Sequence, residues 1–218
     1  MTNKPLIDLK KAKDIETATF AMGWFWGPDA QFGLTHGVVR TSVGYAGGEK
    51  DNPTYYDLGN HTESIQIDFD SSIISYKDLL NIFWSSHTPQ YKAPSRQYMS
   101  IIFYHNENQR KIAEETKLEY EKRINSKVHT EIIPFSRFYL AENYHQKYYL
   151  QLARELMKEF GDIFNNFEEF IDSTAVAHVN GYIKGYGTLE RLYKEIRDLG
   201  LSEKGQDRLK QIVEGYGK

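Results

Sequence analysis

Residues 18–33 have the sequence ATFAMGWFWGPDAQFG, in which a predicted strand gives way to a predicted helix. From Thr17 to Ala21 the chain alternates and is rich in β-branched and aromatic residues, which predicts a strand. Gly23 to Gly27 then form a turn, and Pro28 stands where a helix can begin, because the missing N–H of proline is not needed in a first turn. Gly33 to Gly37 end this short helix. The stretch therefore predicts a strand–turn–helix unit whose turn carries two tryptophans and a phenylalanine.

Four further stretches alternate apolar with polar residues or concentrate β-branched and aromatic ones. We predict each of them as a strand: residues 37–48, 64–70, 97–105 and 129–135. Between them, Ser75 caps a helix whose apolar residues share one face. Asn106 or Asn108 begins a charged helix that runs to about Arg123.

From Ala141 onward the sequence predicts mostly helices, with a break near residues 172–187. Strands and helices interleave before this helical end, which predicts an α+β fold with a mixed sheet and helices packed on it. We expect residues 10–160 to form the main domain. Residues 161–218 are predicted to form a helical C-terminal tail that packs on the same domain.

The composition excludes several classes of function. The 27 basic and 30 acidic side chains give a formal net charge of −3, so nothing favours nucleic acid or an anionic membrane as a partner. No apolar run is long enough to span a bilayer, and the start of the chain lacks the apolar core of a signal peptide. We therefore expect a cytoplasmic protein.

Five motifs follow one another over roughly residues 17–150. They are GWFWGPDAQFG (23–33), VGYAGG (43–48), NPTYYDLGNHTE (52–63), YKDLLNIFWSSHTP (76–89) and RQYMSIIFY (96–104). Together they resemble the methionine sulfoxide reductase A family, whose hallmark is Gly-Cys-Phe-Trp-Gly at the start of the first helix. The resemblance implies a ferredoxin-like core, an α/β roll, and identifies residues 10–160 as the catalytic domain.

The resemblance also implies an activity, the reduction of methionine S-sulfoxide to methionine, which repairs proteins after oxidative stress. In that family a cysteine attacks the sulfoxide sulfur and becomes a sulfenic acid. A phenylalanine and a tryptophan hold the methyl group of the substrate, which implies that role for Phe25 and Trp26. A glutamate and two tyrosines bind and protonate the sulfoxide oxygen, which implies catalytic roles for Glu63, Tyr55 and Tyr98.

The partners that the resemblance implies are a substrate and a reductant. The substrate is methionine sulfoxide, free or in proteins. The reductant is an external thiol, which can be thioredoxin, a glutaredoxin or a small thiol. We expect no other cofactor, no metal and a monomeric protein.

The chemistry of these residue types suits the implied roles. A sulfoxide is polar at oxygen and apolar at its methyl group, so its site needs aromatic walls beside converging donors. The oxygen requires a proton to leave. A carboxylic acid that apolar surroundings keep neutral, such as Glu63 beside Phe25 and Trp26, can supply one near pH 7. The N-terminus of the first helix would favour the anionic form of a nucleophile.

Two features depart from the family pattern. Trp24 occupies the nucleophile position, and the chain has no cysteine that could replace it or resolve an intermediate. The family often carries an acidic residue a few positions before its last tyrosine, whereas residues 91–95 (YKAPS) contain none. The chain as written is therefore predicted to be inactive until a nucleophile is restored at position 24.

Three explanations of Trp24 are open. In the first, the natural residue is selenocysteine, and its UGA codon has been given the meaning tryptophan. In the second, an ordinary cysteine, one base from tryptophan in the codon table, has been replaced. In the third, the protein is a pseudoenzyme that binds peptides or oxidised methionine without turnover. Trp24 can also be a core residue that plugs a cleft.

The other candidate residues have plainer structural alternatives. The two aromatic residues after Trp24 can belong to an ordinary core, and Glu63 can be a solvated loop residue. His61 and Glu63 resemble half of a metal site. Glu142 and His145, at positions i and i+3 of a predicted helix, do so as well. A second such pair is missing from the sequence, so we assign Glu142 and His145 a surface or packing role.

Overall fold

The computed structural model describes residues 4–215, and a six-stranded mixed sheet forms its centre. The strands are β1 (Ile15–Met22), β2 (Val38–Ala46), β3 (Thr62–Asp70), β4 (Ser100–Tyr104), β5 (Glu131–Pro134) and β6 (Phe138–Leu140). Their order across the sheet is β5-β4-β1-β3-β2-β6. Neighbouring strands are antiparallel except β4 and β5, which run parallel.

Helices cover the sheet and make up most of the C-terminal third. They are α1 (Trp26–Gly33), α2 (Tyr76–Ser85), α3 (Glu107–Ile124), α4 (Tyr148–Leu152), α5 (Arg154–Ile163), α6 (Phe167–Ile171), α7 (Thr174–Lys184), α8 (Leu189–Glu195) and α9 (Glu203–Gly215). The predicted α+β class, with a mixed sheet, packed helices and a helical C-terminal end, is confirmed.

Apolar side chains on one face of the sheet pack against α2 and α3. Since side chains alternate across a strand, Phe20 of β1 and Ile65 and Phe69 of β3 join one buried cluster with Leu80 of α2. All five strands predicted from the sequence are present. The sixth strand, β6, was not predicted; it has only three residues and pairs with the end of β2.

The two helices on this face begin where the sequence predicts. The Ser75 hydroxyl accepts a hydrogen bond from the N–H of Asp78, and the Asp78 carboxylate accepts one from the N–H of Ser75, which is a capping box. Asn106, rather than Asn108, caps α3 by accepting from the N–H of Gln109. Both predicted caps are confirmed. Each cap accepts hydrogen bonds from backbone N–H groups at the helix N-terminus, which have no partner within the helix.

The break predicted near residues 172–187 is wrong, because most of that segment is the buried helix α7. Its β-branched residues and glycine lower intrinsic helix propensity, but the tertiary structure overrides that preference. Gly181 allows a close approach to α1, since a Cβ atom there would lie 2.6 Å from the carbonyl oxygen of Ala30. Only the ends of the segment are irregular, at Ser173 and from Gly185 onward.

One apolar cluster joins residues on both sides of position 160, among them Leu150, Phe160, Leu192 and Leu209. The helical end therefore packs on the elements that precede it. The boundary between a catalytic domain at residues 10–160 and an extension at 161–218 stays a prediction.

A buried ion pair fixes α1 against the rest of the fold. Asp29 of α1 and Lys147, just before α4, are fully buried, and their charged groups lie 2.7 Å apart. The ammonium group also donates to the carbonyl oxygen of Thr41 on β2 at 2.6 Å. Asn180 of α7 donates to the other oxygen of Asp29 at 3.3 Å. Three separate parts of the chain thus hold the helix that follows the aromatic turn.

Candidate active site

The aromatic turn between β1 and α1 presents Trp24 at the surface. Gly23 has a φ of +89°, which favours glycine, and it turns the chain sharply after β1. Trp24 is 59% exposed, so the alternative that it is a buried core residue is wrong. Its indole ring stacks against Tyr98 with ring centroids 6.0 Å apart. It also meets the ring of Trp26 edge-on, with centroids 5.4 Å apart.

The next two residues form an aromatic wall. Phe25 is buried, and its ring lies against the ring of Tyr45. Trp26 stacks in parallel on Tyr148, with ring centroids only 3.8 Å apart. The indole N–H of Trp26 donates to Nδ1 of His145 at 3.2 Å. These contacts hold two apolar rings side by side directly after position 24.

Glu63 lies near the start of β3 and reaches the same turn. It is only 2% exposed, so the alternative of a solvated loop residue is wrong. One carboxyl oxygen accepts from the backbone N–H of Phe25 at 3.3 Å, and the other accepts from the side-chain amide of Gln97 at 2.8 Å. Burial raises the pKa of the Glu63 carboxyl, and the two hydrogen bonds offset part of that rise. The structure therefore holds a buried carboxyl group with a raised pKa next to position 24.

Two tyrosines from different loops meet beside this acid. Tyr98 and Tyr55 are neighbours. Burial, the nearby Glu63 carboxyl and the neighbouring Tyr55 hydroxyl raise the pKa of Tyr98 to about 12, so its hydroxyl stays protonated at neutral pH. The backbone N–H of Tyr55 donates to Glu142 at 3.0 Å, which ties its loop to the segment before α4. Both hydroxyl groups can donate to an oxygen bound near Glu63.

Comparison with known proteins agrees with this geometry. The family model described as peptide methionine sulfoxide reductase matches residues 16–174. A peptide methionine sulfoxide reductase of Drosophila melanogaster is 43% identical over 201 residues, which covers 91% of this chain and 79% of that protein. The chain belongs to the peptide methionine sulfoxide reductase family. MsrA of Saccharolobus solfataricus is 49% identical over 144 residues, covering 62% of this chain and 81% of that relative.

Two solved structures share the fold. Reduced Mxr1 from Saccharomyces cerevisiae has a TM-score of 0.60 at 29% identity, covering 65% of this chain and 87% of that one. Methionine sulfoxide reductase A of Corynebacterium diphtheriae has a TM-score of 0.57 at 28% identity, covering 67% and 78%. The match to the Drosophila protein covers 91% of this chain and therefore extends into the C-terminal helices.

The structure brings all six residues that the sequence analysis named into one place. Trp24 contacts Trp26 and Tyr98. The backbone N–H of Phe25 donates a hydrogen bond to Glu63, and Tyr98 is a neighbour of Tyr55. The six residues come from three of the motifs, at residues 23–33, 52–63 and 96–104. Their roles in this chain remain proposals.

Glu142 and His145, for which a surface or packing role is predicted, pack beside the candidate site, a placement that was not predicted from the sequence. Glu142 accepts hydrogen bonds from the Tyr45 hydroxyl at 2.7 Å and the Tyr55 N–H at 3.0 Å. His145 is 2% exposed and bonds to Trp26. A possible signal was the dense mixture of aromatic and polar residues in AENYHQKYY, residues 141–149.

His61 has a structural role and is not part of the group of side chains around Glu63. Its Nδ1 accepts from the N–H of Gly48 at 3.1 Å, and its Nε2 bonds to the carbonyl oxygen of Lys50 at 2.8 Å. The ring therefore fastens the glycine-rich turn after β2. Within residues 4–215, no group of three or more His, Cys, Asp or Glu side chains is arranged to hold a metal ion. Across the same residues, no helix is both long and apolar enough to cross a bilayer.

Proposed function

We propose that this chain, with cysteine or selenocysteine at position 24, reduces methionine S-sulfoxide, free or in proteins, to methionine. The observation that carries the proposal is the buried Glu63 carboxyl, which has a raised pKa and accepts from the N–H of the residue directly after position 24. This position supports Glu63 as the acid that protonates the oxygen of a sulfoxide attacked by a nucleophile at position 24.

The proposed step follows from this arrangement. The side chain of position 24 attacks the sulfoxide sulfur while Phe25 and Trp26 enclose the methyl group. Glu63 gives its proton to the oxygen as the sulfur–oxygen bond breaks. The protonated oxygen passes to the nucleophile as a hydroxyl group while the bond between the nucleophile and the substrate sulfur breaks. The nucleophile is thereby oxidised to a sulfenic or selenenic acid, and the sulfoxide is reduced to methionine. The hydroxyls of Tyr55 and Tyr98 hold the oxygen through hydrogen bonds during the transfer.

An external thiol then completes the proposed cycle. Two thiol groups reduce the sulfenic acid to the starting thiol, form a disulfide and release the oxygen as water. This chain has no cysteine that could form an internal disulfide. We therefore propose a dithiol protein, such as thioredoxin or a glutaredoxin, or a small thiol as the reductant.

The chain as written carries Trp24 and is proposed to be inactive. The indole ring has no nucleophilic atom that attacks the sulfoxide sulfur at neutral pH. It also covers part of the Tyr98 ring. The codon for position 24 separates the explanations. UGA followed by a selenocysteine insertion element indicates a selenoenzyme, whereas UGG indicates substitution or a pseudoenzyme.

The test of the proposed function is Trp24→Cys with methionine sulfoxide and dithiothreitol. We expect repeated turnover from this variant and none from the unchanged chain. Trp24→Ser is the matched control, because serine has nearly the size of cysteine but forms no sulfenic acid. If Trp24→Cys is well folded and still makes no methionine, the site lacks more than its nucleophile.

The alternative function is binding without turnover. It is favoured by the exposed indole of Trp24, which lies stacked on Tyr98 as part of an aromatic surface above Glu63. Titration of the unchanged chain with a methionine sulfoxide peptide, followed by tryptophan fluorescence, separates the two functions. Saturable binding at micromolar concentrations supports the binder, and its absence supports a reductase whose cleft is obstructed by Trp24.

A further inference from the structure

A cavity opens beside the candidate active site. It has a volume of about 310 Å³ and lies between the aromatic turn and the loop of residues 86–95. Trp24 and Tyr98 line it, and both residues also belong to the candidate active site. A polypeptide bound at the candidate active site therefore runs next to this cavity.

The walls of this cavity are mainly apolar and aromatic. The loop contributes Tyr91, Pro89 and Pro94 to the lining. At the inner side, His87 is bonded through Nε2 to the Ser100 hydroxyl at 2.7 Å and through Nδ1 to a backbone carbonyl. Burial lowers the pKa of His87 to about 4, so this ring is neutral at pH 7. The lining thus suits an apolar side chain.

The only charged side chain in the lining is Lys92. It is exposed and has no ion pair among the described residues. No aspartate or glutamate lines the cavity. Arg96, at the end of the loop, is already paired with Glu131 at 3.1 Å. The cavity mouth therefore carries one uncompensated positive charge where the family often has an acidic residue.

We propose that this cavity is a subsite for the side chain two residues away from methionine sulfoxide in a polypeptide, and that Lys92 favours an acidic residue next to it. In an extended chain, residues i and i+2 point to the same side and lie about 7 Å apart. A sulfoxide side chain in the first site thus directs the residue two positions away into the cavity. This inference rests on the proposed function, because it assumes that a methionine sulfoxide peptide is the substrate.

The test uses symmetric capped peptides, so that either chain direction presents the same side chains. The reference peptide is acetyl-Glu-Leu-Gly-MetO-Gly-Leu-Glu-amide. One companion replaces both leucines by alanine, and another replaces both glutamates by lysine. The rates kcat/KM are measured with Trp24→Cys and dithiothreitol. Isothermal calorimetry on Trp24→Ser, which cannot turn over and lacks the obstructing indole, repeats the comparison without catalysis.

We expect the alanine peptide to lose about fivefold in kcat/KM, the effect of leaving roughly half of a leucine side chain unburied. The lysine peptide should lose about two- to fivefold at low salt, and this loss should shrink at high salt. Lys92→Glu should reverse the charge preference. Lys158→Glu makes the same change on exposed α5 and should leave the preference unaltered.

A third variant tests the space itself. Ala93 lines the cavity, and Ala93→Trp should fill it, removing the advantage of leucine over alanine while acetyl-MetO-amide is reduced at its former rate. If acetyl-MetO-amide is never reduced, the proposed function fails, and calorimetry still decides the subsite. Equal affinities and equal rates for all three peptides overturn the subsite alone.

Discussion

The buried pair of Asp29 and Lys147 leads to a quantitative stability prediction. Both side chains are fully buried, and the ammonium group donates to Asp29 at 2.7 Å and to the carbonyl and hydroxyl oxygens of Thr41 at 2.6 and 2.8 Å. Lys147→Met keeps much of the apolar stem but leaves the Asp29 carboxylate without its counter-charge. Removing one partner from such a pair costs about 3–5 kcal/mol of unfolding free energy.

This cost converts into a shift of the melting temperature. At roughly 2.1 cal/mol/K per residue, the 218 residues give an unfolding entropy of about 0.46 kcal/mol/K. Lys147→Met should therefore lower Tm by about 7–11 °C in differential scanning calorimetry. Lys158→Met, the same change on the exposed surface of α5, should shift Tm by about 1 °C or less.

A double variant separates the charge from the packing. The single side-chain oxygen of Asn at position 29 can still accept from the Thr41 hydroxyl, and the amide carries no charge. Asp29→Asn combined with Lys147→Met should therefore be more stable than Lys147→Met alone. If Lys147→Met melts within about 2 °C of the unchanged chain, the ion pair does not fasten α1 as argued.

Three further predictions concern single side chains. Glu63→Gln in the Trp24→Cys background should slow methionine formation by about 10²-fold. The rate should also no longer fall at high pH, where Glu63 would lose its proton, and stopped-flow assays over a range of pH measure both effects. His145→Phe removes the acceptor of the Trp26 N–H, so KM should rise about fivefold with less change in kcat. His145→Gln should recover part of the lost affinity. An unchanged KM in His145→Phe would contradict this positioning role. The unfolded chain binds a proton at His87 near pH 6.5 and the folded chain only near 4. Stability therefore falls as pH falls through that interval, by up to about 3 kcal/mol, and urea unfolding of His87→Gln should show a smaller fall.

Local pattern was enough to predict most of the fold. The alternation in SIQIDFD and the Ser75 cap are local signals, and β3 and α2 formed as expected. The helix α7 was missed because its β-branched residues and glycine lower its local helix propensity, whereas its packing against α1 is a tertiary contact that a local pattern does not show. Three-residue β6 lies beside β2 through pairing that no periodicity reveals.

The candidate site was predictable where motifs carried it and hidden where tertiary contacts did. Trp26 and Glu63 stand in motifs of the family. Their hydrogen-bond partners, His145 and Gln97, lie 119 and 34 residues further along the chain, and nothing in the local sequence pairs them. Trp24 is exposed because of the conformation of the turn that carries it, whereas its apolar ring alone would have predicted burial.

The most direct test of the central claim is the stoichiometry of methionine formed by Trp24→Cys without any reductant. Position 24 precedes the amide that bonds to Glu63, so one attack should release methionine and leave one sulfenic acid that no second cysteine can resolve. The protein is mixed separately with the S and R epimers, and methionine is quantified per protein. We predict about one equivalent from the S epimer and none from the R epimer. No methionine from either epimer, with the variant shown to be folded, would contradict the account and leave binding as the surviving function.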